Sequence, residues 1–190
     1  MKKYVCFFCF ILSAFIFFSC KSASHFPVPG ERKITRDAIY AEYLAIADAY
    51  ADLEKYDKAI QYYNLALENK DVYWQTIYKL AHMYAYAKNW SEAEKLYTKL
   101  LERDSQNVNL QLSLAYLQAM SGNVDKAIVS YKKIISENED AEDALTNYIA
   151  ILLATGRYEL AESEVNILKE KFPESKRLSE FEKKLSENLK

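Results

Sequence analysis

The segment AEKLYTKL, residues 93–100, decides the fold because its pattern returns along the chain at one fixed interval. The equivalent segments are AIQYYNLA at 59–66, AIVSYKKI at 127–134 and AESEVNIL at 161–168. All four segments begin with an alanine, and successive alanines along the chain are 34 residues apart. Apolar or aromatic side chains occupy offsets 0, 4 and 7 from that alanine, which is one face of an α-helix. A fixed period of this length indicates a repeat architecture built from equivalent helical units.

A second helix is predicted before each of these segments. The pairs that recur there, again at 34 residues, are Ile46-Ala47, Leu80-Ala81 and Leu114-Ala115. In the short breaks between the two helices, Gly122 and Gly156 are expected to adopt the left-handed conformation that ends a helix. Asp57, Ser91 and Asp125 are expected to cap the following helix. Each repeat is therefore predicted to be a hairpin in which small residues let two helices approach closely.

This arrangement resembles the tetratricopeptide repeat, a 34-residue helix-turn-helix unit with the pattern W-x2-L-G-x2-Y, then A-x3-F, then proline. The matching first halves are Tyr43-x2-Ile46-Ala47-x2-Tyr50, Ile77-x2-Leu80-Ala81-x2-Tyr84 and Gln111-x2-Leu114-Ala115-x2-Gln118. The fourth repeat departs from the pattern, because Ile149 replaces the small residue and a closing proline is present only at Pro173. The resemblance implies an all-α fold. It is an α-solenoid of four repeats, at residues 40–73, 74–107, 108–141 and 142–175, with a C-terminal capping helix at 176–190.

The composition excludes several classes of function. The 190 residues include 25 Lys plus Arg and 27 Asp plus Glu, a net charge of -2, so the chain offers no basic field for nucleic acid. Three isolated glycines do not form a phosphate-binding loop, and two histidines, His25 and His82, do not supply the usual metal site. We therefore expect no cofactor and no metal, and we predict that the chain is not an enzyme.

The first residues have the three parts of a secretory signal peptide: a basic start, an apolar run at residues 5–18, and a small residue before Cys20. As a helix the run would be about 21 Å long, shorter than the roughly 30 Å of membrane hydrocarbon. The Ser19-Cys20 junction resembles the lipobox of bacterial lipoproteins, in which the cysteine is acylated. Phe17 and Phe18 depart from that pattern.

The predicted N-terminal organisation is therefore a signal peptide at residues 1–19 and a palmitate-bearing lipid anchor on Cys20. A flexible tether follows within residues 20–39, where prolines and a glycine interrupt any apolar period. An uncleaved membrane anchor and an ordinary secreted protein are the alternatives. The expected location is the bacterial cell envelope, with the repeats facing the periplasm.

The same 34-residue phase predicts which side chains lie on the concave face of the array, where the resemblance implies that extended peptides or partner helices bind. The predicted groove residues are Leu44, Asp48, Asp52, Tyr78, His82, Tyr86, Leu112, Tyr116 and Met120. Their aromatic and methionine content is typical of protein interfaces. The alternative for the tyrosines is an ordinary role in the core.

Two functions remain open at this point. The favoured one is a non-catalytic scaffold that binds a protein or peptide partner, in the assembly of the bacterial envelope or outer membrane. The alternative is an accessory protein that presents a soluble ligand to a membrane transporter. An open groove would favour the first and an enclosed apolar pocket the second. Self-association into a homo-oligomer, through an exposed repeat edge, is also open.

Overall fold

A computed structural model describes the backbone of residues 31–189 and the side chains of residues 36–189. The chain divides into two units, residues 1–38 and 39–190, and the first is described only from residue 31, where a helix begins. The predicted signal peptide at residues 1–19, the lipid anchor on Cys20 and the first part of the tether lie outside the described residues.

Residues 31–189 form α-helices joined by short turns, with no strand among them. The helices are α1 (Glu31–Asp52), α2 (Tyr56–Ala66), α3 (Tyr73–Tyr86), α4 (Trp90–Arg103), α5 (Val108–Met120), α6 (Val124–Glu137), α7 (Glu142–Ala154), α8 (Tyr158–Lys171) and α9 (Leu178–Asn188). The pairs α3–α4, α5–α6 and α7–α8 are packed hairpins, and the second helix of each hairpin also packs on the element that follows it. The predicted all-α repeat array is confirmed.

The start of α1 corrects the predicted tether. Residues 31–39, which were assigned to the tether, belong to this helix. The physical reason is that residues 31–52 contain no glycine or proline, so nothing in the sequence interrupts the helix before Asp52. Of the helices that the structure describes, none combines the length and the apolar character needed to cross a membrane.

The two rows of small residues are fully buried, as the period predicts. Exposure is 0% at every member of both rows, which are Ala47, Ala81 and Ala115 on the first helices and Ala59, Ala93, Ala127 and Ala161 on the second helices. In the fourth repeat Ile149 occupies the first row and is also 0% exposed. Because no accessible surface remains at these positions, a larger side chain would overpack the hairpin.

The apolar core consists of two clusters. One extends from Ala47 on α1 to Leu117 on α5, and the other from Ala115 on α5 to Leu185 on α9. Since α5 contributes to both, each hairpin buries its apolar face against its neighbours, as expected for a solenoid. At the C-terminal end, Phe181 of α9 is completely buried and α9 packs on α7 and α8. The predicted capping helix is therefore confirmed.

The turns inside the four hairpins share one backbone conformation. Gly122 and Gly156 have φ angles of 90° and 70°, which confirms the left-handed conformation predicted for them. The residues at the same position in the first two repeats, Glu54 and Lys88, also have positive φ, 55° and 59°. A side chain with a Cβ is disfavoured in this region, so these two turns hold strain that the glycine turns do not.

The predicted N-caps are wrong. The helices begin at Tyr56, Trp90 and Val124, which places the predicted caps in the first helical turn instead; they are Asp57, Ser91 and Asp125. The reason is that only one residue separates the residue with positive φ from the first residue of the next helix. For α4 that residue is Asn89, whose side chain accepts a hydrogen bond from the backbone nitrogen of Glu92. The acidic side chains of Asp57 and Asp125 still lie near the positive end of the helix dipole.

Replacing Gly122 by alanine should destabilise the protein by about 1 kcal/mol, because a Cβ forced to a positive φ is strained. A Cβ built at Gly122 has no atom within 4 Å, so the loss would come from the backbone alone. Thermal unfolding measures the effect, and Gly122→Asn is the matched control, since asparagine tolerates this conformation better. Equal melting temperatures for the wild type and Gly122→Ala would contradict the assigned turn conformation.

Candidate partner-binding groove

The nine predicted groove residues lie on α1, α3 and α5, the first helices of the first three hairpins. They form three rows with the 34-residue period, which are Leu44, Tyr78 and Leu112, then Asp48, His82 and Tyr116, and then Asp52, Tyr86 and Met120. Tyr86, Tyr116 and Met120 are more than half exposed, at 59%, 55% and 53%. Leu44 and Leu112 are partly buried against the core clusters. The assignment of these residues to partner binding stays a prediction.

Asp48 is already engaged within the first repeat and its neighbour. The buried Tyr63 of α2 donates its hydroxyl hydrogen to Oδ1 of Asp48 at 2.5 Å. Nζ of Lys79, on α3, lies 2.7 and 2.6 Å from the two carboxylate oxygens. This carboxylate is therefore ion-paired within the chain, while its side chain remains 41% exposed.

His82 occupies the equivalent position in the second repeat. Its Nδ1 shares a hydrogen bond of 2.8 Å with the hydroxyl of Tyr97 on α4. The Tyr78 ring meets the imidazole edge-on, with 4.5 Å between ring centroids. Burial lowers the pKa of His82 below its ordinary value of 6.5, so the imidazole is neutral at neutral pH. Its partner is a phenol rather than a carboxylate, and it therefore lacks the group that orients and stabilises a catalytic imidazolium.

The third repeat breaks this pairing. Tyr131 of α6 is equivalent to Tyr63 and Tyr97 and is completely buried, yet its hydroxyl has no hydrogen-bond partner among the described residues. The groove residue at the corresponding position is Tyr116, and burial together with the nearby Tyr116 raises the pKa of Tyr131 above its usual range. The sequence identified these buried tyrosines only as packing residues. Their hydroxyl groups, which lie beneath the groove, were missed.

A cavity of about 330 Å³ opens between the second and third repeats. It is lined by His82, Ala85, Tyr86, Lys88, Trp90, Tyr97, Ser113, Tyr116, Leu117 and Met120. Four of these are predicted groove residues. Trp90, Lys88 and Ser113 were missed, because the sequence placed the first two in a turn. A signal for Trp90 was present, since the same repeat position holds Tyr56 and Tyr158.

The cavity walls are aromatic and partly held by stacking. The Tyr86 ring stacks on Tyr56 of the preceding hairpin, with centroids 5.2 Å apart and 22° between the ring planes. Tyr86, Tyr116 and Met120 expose more than half of their surface, so the cavity is open to solvent. Among the side chains of residues 36–189, no group of three or more His, Cys, Asp or Glu could hold a metal ion. The lining is suited to binding an apolar group.

Sequence profiles of the tetratricopeptide repeat match three stretches of this chain, at residues 43–72, 78–142 and 121–185. The second and third stretches overlap, and together the three cover more than half of the chain. A comparison with curated proteins found no match.

Solved structures have the same fold at low sequence identity. A tetratricopeptide repeat protein from Parabacteroides merdae is 19% identical with a TM-score of 0.65, over 79% of this chain and 60% of that one. PilW, a widely conserved type IV pilus biogenesis factor, is 21% identical with a TM-score of 0.62, over 75% and 66%. YrrB, a repeat protein with an unusual peptide-binding site, is 17% identical with a TM-score of 0.53, over 76% and 84%.

These likenesses concern the fold alone. The chain spans 60% of the length of the Parabacteroides merdae protein.

The partly buried imidazole of His82 predicts a pH dependence of stability. Because its pKa is lowered in the folded state, the unfolded chain takes up a proton first as the pH falls through 6.5, and the free energy of unfolding decreases there. The melting temperature of the wild type should therefore drop more between pH 7.5 and 5.5 than that of His82→Gln, which does not titrate. Glu164, whose pKa is raised by burial, acts in the opposite direction and is common to both proteins. Parallel pH profiles for the two proteins would contradict the burial of His82.

Proposed function

Because this chain belongs to the tetratricopeptide repeat family, we propose that it is a non-catalytic scaffold that binds a protein or peptide partner in the groove of α1, α3 and α5. The observation that carries the proposal is the row of exposed apolar side chains at Tyr86 and Met120, with Tyr116 beside it. These side chains lie in adjacent repeats, on helix faces that the buried alanine rows do not use. Exposed aromatic and methionine side chains grouped in this way are typical of binding surfaces.

The floor of the groove supports the same proposal. The residues at the innermost groove position of the first three repeats are Ala51, Ala85 and Ala119, each only partly exposed. A methyl group at each of these positions leaves space above the helices for the backbone of an extended peptide or for one face of a partner helix. The larger side chains on either side then form the walls of the groove.

The openness of the cavity favours a scaffold over the alternative function. A protein that carries a soluble small molecule usually buries most of the ligand surface in an enclosed pocket. Here the walls at Tyr86, Tyr116 and Met120 face solvent. We therefore prefer a macromolecular partner to a small ligand presented to a transporter.

We further propose that the scaffold acts in the bacterial envelope, held to a membrane by a lipid on Cys20 and facing the periplasm. The support for this comes from the sequence, in the basic start, the apolar run and the Ser19-Cys20 junction. The fold is shared with PilW, whose role is in type IV pilus biogenesis. An assembly of envelope proteins is accordingly the proposed setting.

The double variant Tyr78→Ala/Tyr116→Ala tests the groove. The partner is first identified by crosslinking the wild-type chain in its own membrane, and the dissociation constant of that partner is then measured. Loss of two interface aromatics should weaken binding by at least about 2 kcal/mol. Stability should fall less than on loss of a buried aromatic side chain, because Tyr78 and Tyr116 are 39% and 55% exposed; the loss that does occur should come mainly from the contact of Tyr78 with His82.

The matched control for the groove variant is Lys95→Ala/Lys133→Ala on the second helices, where both side chains are mostly exposed. This variant should bind as the wild type does. If the lysine variant loses the partner while the tyrosine variant retains it, the binding surface is on the other side of the array. A large fall in melting temperature for the tyrosine variant would assign both rings to the core.

Replacing Cys20 by serine tests the anchor. The variant should leave the membrane fraction or accumulate as an unprocessed precursor, because serine offers no thiol for acylation. Fractionation and the mass of the protein measure both outcomes. A Cys20→Ser protein that is processed and membrane-bound like the wild type would exclude a lipid on this residue.

A further inference from the structure

The cavity between the second and third repeats carries an inference about the chemistry of the partner, which rests on the proposed function. We propose that this cavity is an anchor site for one aromatic side chain of a peptide partner, and that an acidic residue next to that side chain pairs with Lys88. The inference follows from the walls, the floor and the rim of the cavity.

The walls are suited to a flat ring. Tyr86, Trp90 and Tyr116 supply aromatic surfaces, and Met120 adds a thioether, which makes favourable contacts with aromatic rings. Offset-stacked and edge-to-face contacts between rings add stability beyond that of the apolar area they bury. A volume of about 330 Å³ is sufficient for a single large side chain with part of its backbone.

The floor of the cavity has no charge to bind a carboxylate. Its polar groups belong to His82, Tyr97 and Ser113. The first two are hydrogen-bonded to each other, and burial keeps the His82 imidazole neutral. An acidic side chain placed there would lose its hydration without gaining a cation, which is unfavourable. The acidic group of the partner is therefore expected at the rim rather than inside.

The rim supplies the cation. Lys88 is the one charged residue in the cavity lining, and among the residues that the structure describes no carboxylate forms an ion pair with it. By contrast, Lys79 and Lys126 are paired with Asp48 and Glu94.

Acidic residues in the first repeat restrict where along the groove an acidic residue of the partner can bind. The position equivalent to Lys88 is Glu54, and the exposed Asp52 lies two residues before it. An acidic residue of the partner is repelled there and attracted to Lys88. The charge pattern therefore favours a partner whose acidic residue lies beside the second repeat and whose neutral or basic residues lie beside the first.

Selection from a random 12-residue peptide library displayed on phage tests the inference, with the full-length chain held in mild detergent as the target. The wild type should enrich peptides that have Phe, Tyr or Trp within three positions of Asp or Glu. Lys88→Glu should replace the acidic preference by Lys or Arg while the aromatic residue is retained. This variant should fold, because Glu54 adopts the same left-handed conformation in the first repeat. Lys95→Glu, at an exposed site on α4, is the matched control and should enrich the wild-type motif.

A synthetic copy of the enriched peptide then gives the magnitudes. Lys88→Glu should weaken its binding about fivefold, as expected when one exposed ion pair is lost. Substitution of the aromatic residue in the peptide by alanine should weaken it at least about tenfold. In NMR spectra the indole signal of Trp90 should shift when the peptide is added. The signal of Trp74, which lies outside the cavity beneath Arg103, should not.

The outcomes separate the inference from the function on which it rests. Enriched peptides without an aromatic-acidic motif, or a motif unchanged in Lys88→Glu, would overturn the anchor site and leave peptide binding in place. A peptide that binds without shifting the Trp90 indole signal would likewise overturn the anchor site and leave peptide binding in place. If no peptide is enriched over an uncoated surface, the proposed peptide-binding function fails, and the anchor site fails with it.

Discussion

The close packing of two helices in each hairpin, set by alanine rows that have no exposed surface, is the constraint on which the rest of the structure depends. An alanine contributes little apolar area of its own, so larger side chains beside the alanine rows must supply most of the buried apolar area. On the second helices these larger side chains include three buried tyrosines, Tyr63, Tyr97 and Tyr131. A tyrosine, unlike the phenylalanine of the family pattern, also carries a hydroxyl group into the core, where a polar group normally requires a hydrogen-bond partner. Tyr63 and Tyr97 have such a partner, and Tyr131 has none among the described residues.

That requirement links the core to the groove. The hydroxyl groups of Tyr63 and Tyr97 reach Asp48 and His82, which occupy one row of the groove face. These two side chains therefore stabilise the hairpins from within, and only part of their polar capacity is available to a partner. The neighbouring row of Tyr86 and Met120 is more exposed, and its side chains form no hydrogen bond to the buried tyrosines. The proposed binding surface and the contacts that stabilise the hairpins therefore lie on adjacent rows of the same helices.

The sequence predicts the features that depend on the 34-residue period. It misses the contacts between side chains of different repeats. The alanine rows follow from spacing, because a helical period fixes which face a residue occupies. The glycine turns follow from the left-handed conformation that glycine adopts readily. The ion pair of Lys79 with Asp48 joins positions 31 residues apart, which no pattern within one repeat indicates. The left-handed conformation of Lys88 was missed for a similar reason, since lysine gives no local signal for a positive φ. The position of Lys88 at the cavity rim was missed with it.

The groove row that contains Asp48 changes in character from one repeat to the next. It holds a paired carboxylate in the first repeat, the neutral imidazole of His82 in the second, the phenol of Tyr116 in the third and the methyl group of Ala150 in the fourth. Because these residues are related by the 34-residue period, this row becomes progressively less polar from α1 to α7. In the proposed binding mode, a partner would meet polar side chains at one end of this row and an apolar side chain at the other. Reversing such a partner would place its polar groups against Ala150, where they would lose hydration without gaining hydrogen bonds. This row therefore differs between its two ends, although the hairpins themselves are equivalent.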